Sequence, residues 1–398
     1  MNTVVRHDRR WFLTLVIIVG ISGFSQGMLL PLISIIFETD GVSTTLNGLN
    51  ATGLYIGTLL ISPFVEQPLR KFGYKPIIIV GGAIVFVSLL MFPLWKHVVF
   101  WFVLRLLIGI GDHCLHFATQ TWLTSSAPQG KLGKSMAIYG LSFGVGFAVG
   151  PLMTPLLRIS ESLPFIVSSI LCLMAWSLVF FIHNEHPAVL AGDAKQSNSF
   201  TRYKLSFKYA WFAFLPPFAY GALETSLNAL FPVYALRMDF DLTMVSIIIS
   251  SFSIGGIITQ VPLGLLGDRI GRRKVILISI FVGTIGFGVG SFLEDSEILV
   301  AFVFLTCGMF LGSIFSLGIT YMADLTPKEL LPTGNLLCGI FFSLGSLLGP
   351  FVGGLYLQVV EGISFLIFMS SVLLIIFIIL IIFSKETNIA ETKGSEAK

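Results

Sequence analysis

Twelve long apolar runs, motifs that recur at a nearly constant offset and a one-sided distribution of basic residues predict the fold class. It is an all-α membrane protein of twelve transmembrane helices in two pseudo-symmetric six-helix bundles. Of the 398 residues 55% are hydrophobic and only 11% charged, with a mean hydropathy of +0.91. A soluble domain carries roughly 25% charged residues, so water is not the solvent for most of this surface. The net charge of +3 is too small to suggest a nucleic-acid partner. All four cysteines (Cys114, Cys172, Cys307, Cys338) lie inside apolar runs, where they read as small buried hydrophobes and not as a disulfide framework or a metal site.

The spans fall near 11–37, 47–66, 75–95, 98–124, 135–157 and 163–182, then 207–236, 243–266, 275–293, 298–322, 333–359 and 363–384. Each run has the roughly 20 residues that a helix needs to cross hydrocarbon. The first is too long for a signal-peptide core and has no Ala-x-Ala cleavage site, so it is read as a helix. Between the sixth and seventh lies the only long polar segment, rich in Ser, Asn, Lys and Ala and read as a linker. The expected organisation is therefore an N-terminal bundle over 1–182, a cytoplasmic linker over 183–206, a C-terminal bundle over 207–384 and a polar, disordered cytoplasmic tail over 385–398.

Threading these spans with both termini inside places twenty lysines and arginines on the inner side and three on the outer. That asymmetry predicts cytoplasmic N- and C-termini in a plasma membrane. The acidic segments Glu38–Asp40 and Glu294–Glu297 then face outward.

The halves repeat. The loop after span eight packs Gly264, Asp268, Arg269, Gly271, Arg272, Arg273 and Lys274 into eleven residues, and so many charges can only form a water-side turn. In the first half Arg70-Lys71-Phe72-Gly73-Tyr74-Lys75 takes its place, Gly73 lying 198 residues before Gly271. Gly146-x3-Gly150-Pro151 in span five returns as Gly345-x3-Gly349-Pro350 in span eleven, an offset of 199. Two unrelated motifs at nearly the same offset indicate a duplicated six-helix unit.

The spacing Gly-x3-Asp-Arg-x-Gly-Arg-Arg-Lys resembles the signature loop of the major facilitator superfamily. Twelve spans, the central linker and the paired Gly-Pro motifs extend that resemblance over nearly the whole chain, and it is most similar to the drug:proton antiporter members. The resemblance implies alternating access around a central cavity, with Asp268 near a helix N-terminus of the other half and the arginines after it supplying salt bridges that bias the switch. A purely topological anchor would need neither the glycines nor the acid. The first-half copy departs from the pattern, since Arg70 stands for the acid and Glu66 for the first glycine.

Span four carries Arg105, Gly109, Asp112, His116 and Gln120 on one helical face, with His113 beside them. Such a stripe must face protein or water. Arg105 and Asp112 stand about 10 Å apart along the axis, too far for a direct salt bridge. Arg105-x3-Gly109 is similar to the family's fourth-helix pattern, which implies proton coupling. The other reading is structural: Arg105 satisfies carbonyls and Asp112–His113 is a neutralised pair. Either histidine, His113 or His116, could carry or sense a proton.

Span seven holds Glu224 with Tyr220 and Asn228 at i−4 and i+4, after Pro216-Pro217 and Gly221. The segment Ala222–Thr225 resembles quinolone-type efflux pumps, which implies a proton or substrate role; those relatives add an acid in span ten, where this chain has Ser313, Ser316 and Thr320 on one face. A glutamate hydrogen-bonded for stability is the alternative. Gln26, with Ser22, is a cavity-lining candidate in span one. Gly146, Gly150 and Pro151 resemble the antiporter motif, while their copy at Gly345, Gly349 and Pro350 equally suits a packing rule for close helices.

The expected function is secondary active transport, as proton-coupled efflux of small apolar or amphipathic compounds. A narrow-specificity metabolite or sugar exporter, or a non-transporting receptor or scaffold on the same fold, stays open as an alternative. The expected partners are a small-molecule substrate, protons as coupling ion and the bilayer, with no nucleic acid and a monomeric state. There is no Gly-x4-Gly-Lys-Ser/Thr loop for ATP and no catalytic or metal cluster, so neither an enzyme nor a cofactor is expected.

Overall fold

The computed structural model describes residues 9–126, 132–186, 199–327, 330–360, 362 and 364–383. The expected tail and the middle of the expected linker lie outside them. The chain divides into two compact units, Met1–Ala191 and Gly192–Lys398, and the described residues are helices and turns.

The first unit contains α1 (Arg9–Thr39), α2 (Thr44–Ile61), α3 (Glu66–Phe72), α4 (Tyr74–Met91), α5 (Val98–Ser126), α6 (Leu132–Val149) and α7 (Leu163–Ser177). A 3-10 stretch, Gly150–Arg158, continues α6, and another, Leu178–Phe181, continues α7. The second contains α8 (Ser199–Ala210), α9 (Leu215–Ala229), α10 (Phe231–Arg237), α11 (Leu242–Ile270), α12 (Arg272–Gly290), α13 (Glu297–Leu311), α14 (Ile314–Leu325), α15 (Leu331–Val359) and α16 (Phe365–Phe383).

All twelve expected spans have a helical counterpart, and among the described residues ten of these are, by length and composition, long and apolar enough to cross a membrane. The other two are informative. The α2 helix has only 18 residues and spends several on Asn47, Asn50 and threonines. Span seven is broken between α9 and α10, where Pro232 opens the second piece and Leu230 N–H still reaches the Ser226 carbonyl. Span ten likewise divides at Gly312-Ser313. The segment expected as linker is also more structured than its composition suggested: α8 begins at Ser199.

The pairing of helices repeats between units. In the first, α1 packs on α6, α2 on α5 and α4 on α7; in the second, α9 packs on α15, α11 on α13 and α12 on α16. The close approaches are made by glycine. A Cβ on Gly109 would lie 1.9 Å from the Leu54 carbonyl oxygen, and one on Gly308, 199 residues later, 2.0 Å from that of Phe252. Gly73 and Gly271 turn the chain at φ +85° and +98°, a region that other L-residues avoid.

At the α3–α4 end of unit one, Tyr74 stacks on Trp122 with centroids 5.2 Å apart, and Trp11 meets the same indole edge-on. This core is clasped by the chain after span six. Glu185 accepts from Trp122 Nε1 at 2.9 Å and, through its carbonyl, from Tyr74 N. Asn184 accepts from Lys75 N and donates to the Phe72 carbonyl.

Candidate functional site

The span-four stripe lies along α5 and meets α1. Arg105, only 1% exposed, donates from NH2 to the Leu29 carbonyl at 3.0 Å, and its NH1 has no hydrogen-bond partner among the described residues. One face of α5 therefore spends its guanidinium on a backbone oxygen, which an intramembrane charge needs. Two turns on, the Ser22 hydroxyl of α1 donates to Asp112 Oδ1 at 2.7 Å and lies 3.0 Å from His116 Nε2. Gln26 Nε2 approaches the same hydroxyl at 3.5 Å.

His116 has a second partner. Its Nδ1 is 3.0 Å from the Tyr139 hydroxyl of α6, which is 3.1 Å from Thr119 Oγ1. Three helices thus contribute to one buried polar chain. Asp112 Oδ2 takes no hydrogen bond among the described residues, and Asp112 lines a cavity of about 20 Å³ whose wall includes Ser22, Cys172, Trp176 and Gly82. Such a volume is enough for one water molecule.

The expected stripe is thus only partly one site. Asp112 and His116 come together around Ser22, while His113 stacks on Phe117 with centroids 6.2 Å apart, so the Asp112–His113 pair of the alternative, structural reading is not the one around Ser22. Gly109 serves the α2–α5 contact, and Gln120 is exposed.

In unit two, Tyr220 donates to Glu224 Oε1 at 3.0 Å, and Asn228 Nδ2 donates to the Glu224 backbone carbonyl at 2.8 Å. Glu224 is half-buried. Tyr220 lies against Phe315 and Phe342, whose rings also meet each other at 5.2 Å. The Glu224 carboxylate is thus tied, through Tyr220, to a cluster of three aromatic rings.

The Gly264–Lys274 loop joins α11 to α12. Arg272 pairs with Asp268 at 3.0 Å, also pairs with Asp324 of α14, and donates to the Thr320 carbonyl. Arg273 donates to the Ile381 carbonyl at 3.4 Å. Arg269 is exposed, and a Cβ on Gly264 would meet open space, whereas Gly267 faces Leu317 and Arg272. The side chain of Glu66 lies outside the described residues; Arg70 is exposed.

The Gly-Pro motifs both sit in helix contacts. Gly146 would place a Cβ 1.9 Å from the Gly20 carbonyl oxygen, and Gly150 one 2.4 Å from Met28 N. Gly345 and Gly349 meet Phe218 and Ala222 in the same way. Pro151 opens the 3-10 stretch after α6, while Pro350 stays inside α15.

The family model described as Major Facilitator Superfamily matches residues 15–245 and again 218–398. The chain belongs to the Major Facilitator Superfamily. This transporter is 51% identical over 391 residues to "Uncharacterized MFS-type transporter YfkF" of Bacillus subtilis (strain 168), covering 98% of this chain and all of the relative. It is 24% identical to "Multidrug resistance protein 2" of the same organism, over 89% of this chain and 90% of the relative. A crystal structure of a variant of the nucleoside transporter NupG shares its fold at a TM-score of 0.79 with 15% identity, covering 94% of this chain and all of that one.

Several participants were not among the expected site residues. Tyr139 and Thr119 lie in ordinary-looking apolar surroundings, and only the pairing of α5 with α6 reveals them. Asp324 follows directly after an apolar run; its position beyond a span end is a signal, but its partner across 52 residues is not.

Proposed function

We propose that this transporter is a proton-coupled exporter of small apolar or amphipathic compounds in the plasma membrane, working by alternating access with cytoplasmic termini. The observation that carries the reading is the Tyr220–Glu224 pair, an acid held inside an apolar helix beside Phe315 and Phe342. Intramembrane acids are costly and are retained where they bind ions, protons or substrate. Glu224 takes the proton or the cationic end of the substrate, and the aromatic faces take its apolar body. The α5 chain of Arg105, Asp112 and His116 couples proton uptake to the conformational change, with His113 and Gln120 flanking it. Asp268 and Arg272 bias the switch from the α11–α12 turn, and Gly146, Gly150, Gly345 and Gly349 keep the moving helices in close contact. The similarity to a multidrug resistance protein supports efflux, and twenty basic residues on one side support the orientation.

The test uses everted membrane vesicles with an imposed proton gradient and a panel of lipophilic cations and neutral dyes, for the wild type and Glu224→Gln. Uptake that collapses with a protonophore and in Glu224→Gln is the expected result. Uptake abolished by the protonophore but unchanged in the variant would remove Glu224 from the proton path. No transport of any compound would overturn broad export.

A further inference from the structure

We propose that Asp112, Ser22 and His116 form a second proton-binding site, confined to unit one, in which one proton is shared between carboxylate and imidazole through the serine hydroxyl. The inference rests on the proton-coupled reading above and adds a carrier to it that is separate from Glu224. The argument is a hydrogen inventory. The Leu115 carbonyl can only accept, and Thr119 Oγ1 donates to it at 2.8 Å. With the Thr119 hydrogen on a carbonyl, that of Leu115 or that of His116 at 3.2 Å, Tyr139 donates to Thr119 or to the His116 carbonyl at 3.5 Å, and its oxygen accepts from His116 Nδ1–H. In that arrangement the Nδ1 side of the ring is a donor.

The Nε2 side is left to change. With His116 doubly protonated, Nε2–H donates to Ser22 and Ser22 donates to Asp112 Oδ1, so the pair is imidazolium and carboxylate. With the proton on Asp112 Oδ1, the acid donates to Ser22 and Ser22 donates to Nε2, so both partners are neutral. The two forms contain the same atoms and the same net charge, and every hydrogen between Asp112 and Leu115 has an acceptor in each. Passage between them breaks the Nε2–H bond and forms a Ser22 O–H bond, while the former Ser22 hydrogen goes to Asp112. No heavy atom has to move, at separations of 2.7 and 3.0 Å. Removing the shared proton leaves one hydroxyl hydrogen between two acceptors, so proton binding is what completes the chain.

The cavity against Asp112 supplies the second observation. Asp112 lines a cavity that can hold one water, and its Oδ2 is buried with no hydrogen-bond partner among the described residues, so the room for a water to exchange the proton lies at the carboxylate end, opposite the Tyr139–Thr119 end. The ionisable groups facing the site from its neighbours are few. Cys172 of α7 shares the cavity wall and bonds Ser25, His113 of α5 stacks on Phe117 and is an electrostatic neighbour of His116, Tyr139 of α6 contacts both Thr119 and His116, and Arg105 donates to the Leu29 carbonyl with Tyr55 of α2 as its electrostatic neighbour. None bridges Asp112 to His116 as Ser22 does.

Infrared difference spectra of the full-length protein in lipid nanodiscs, titrated with pH and with isotope-labelled histidine, test this. In the wild type the protonated-carboxyl band of Asp112, assigned by its loss in Asp112→Asn, and the imidazolium band of His116, assigned by its loss in His116→Asn, titrate with one common midpoint. In Ser22→Ala the two midpoints separate by about one pH unit or more. Ser22→Thr keeps a hydroxyl and restores a common midpoint, which a merely structural role for Ser22 would not do. Glu224→Gln leaves the common midpoint in place. Independent titration in the wild type, midpoints that stay together in Ser22→Ala, or absence of either band would overturn the shared site. Proton-driven export with no shared titration would remove this site and keep the exporter; shared titration with no export would do the reverse.

Discussion

Gly109 gives the sharpest test of how closely these helices approach. Its missing Cβ would stand 1.9 Å from the Leu54 carbonyl oxygen and 2.8 Å from the carbonyl carbon, both rigid backbone atoms. Ordinary contact begins near 3.4 Å, so Gly109→Ala must part α2 and α5 locally by about 1.5 Å. Overpacking of this kind costs about 1–3 kcal/mol. The reference is Gly140→Ala in α6, where a Cβ meets nothing within 4 Å and the helix gains about 0.5–1 kcal/mol from the lost glycine flexibility. The two substitutions are chemically identical and should move stability in opposite directions. One kcal/mol shifts Tm by about 2–4 °C in a unit of this size, so Gly109→Ala should melt several degrees below Gly140→Ala in a thermal scan of detergent-solubilised protein. Gly308→Ala, at 2.0 Å from Phe252 O, should fall with Gly109→Ala. Equal melting of Gly109→Ala and Gly140→Ala would refute the close contact.

Two further perturbations follow. Asp268 is 59% exposed and its pair with Arg272 should contribute at most about 0.5 kcal/mol, whereas Asp324, 24% exposed on the same guanidinium, should contribute about 1 kcal/mol. Double-mutant cycles with Arg272→Gln at low and high salt should show this ranking, with the Asp268 coupling vanishing in salt. At the Ser291–Ser296 loop, burial holds the Glu294 carboxyl above its ordinary value, against the opposing hydrogen bonds from Ser364 and Tyr234 and with help from Asp295. The folded state therefore keeps its proton to higher pH than the unfolded chain, and stability falls as pH rises from the ordinary carboxylate range through the raised one. Glu294→Gln should flatten that part of a Tm-against-pH curve, and an unchanged slope would count against the burial argument.

Much of this fold is legible in the sequence because the bilayer imposes a length and a polarity on every span. Gly73 and Gly271 mark turns that require positive φ, and the two Gly-x3-Gly-Pro runs mark helix contacts; each is a one-residue rule that spacing alone exposes. The breaks are harder. Pro216, Pro217 and Pro232 all stand in span seven, and the helix divides ahead of both groups: α8 ends at Ala210 and a 3-10 stretch, Trp211–Phe214, leads into α9, whose opening turn takes Pro216 and Pro217, while Pro232 opens α10. The segment expected as linker looked loose by composition, but Asn184 and Glu185 supply the acceptors that the α3–α4 turn and Trp122 lack. For the site, helical periodicity put Asp112 and His116 on one face. It could not choose His116 over its neighbour His113, because that choice is made by Ser22 on another helix.

The duplication also explains why the two acids sit where they do. An offset of 198 maps Ser22 and Gln26 of α1 onto Tyr220 and Glu224 of α9, so the same two positions carry a polar i,i+4 pair in each half. In unit two the acid is on that helix itself and is bonded by its own Tyr220. In unit one the equivalent helix offers only a hydroxyl and an amide, and the acid is supplied by α5. The position of Arg105 is filled 199 residues later by Phe304, buried among Phe231 and Phe287, and that of His116 by Phe315, which lies against Tyr220. Where one half has an ionisable α5, the other has an aromatic α13–α14. The repeat thus keeps the backbone contacts, glycine for glycine, while the side chains diverge: unit one buries Asp112 with His116 and Ser22, and unit two sets Glu224 with Tyr220 next to Phe315 and Phe342.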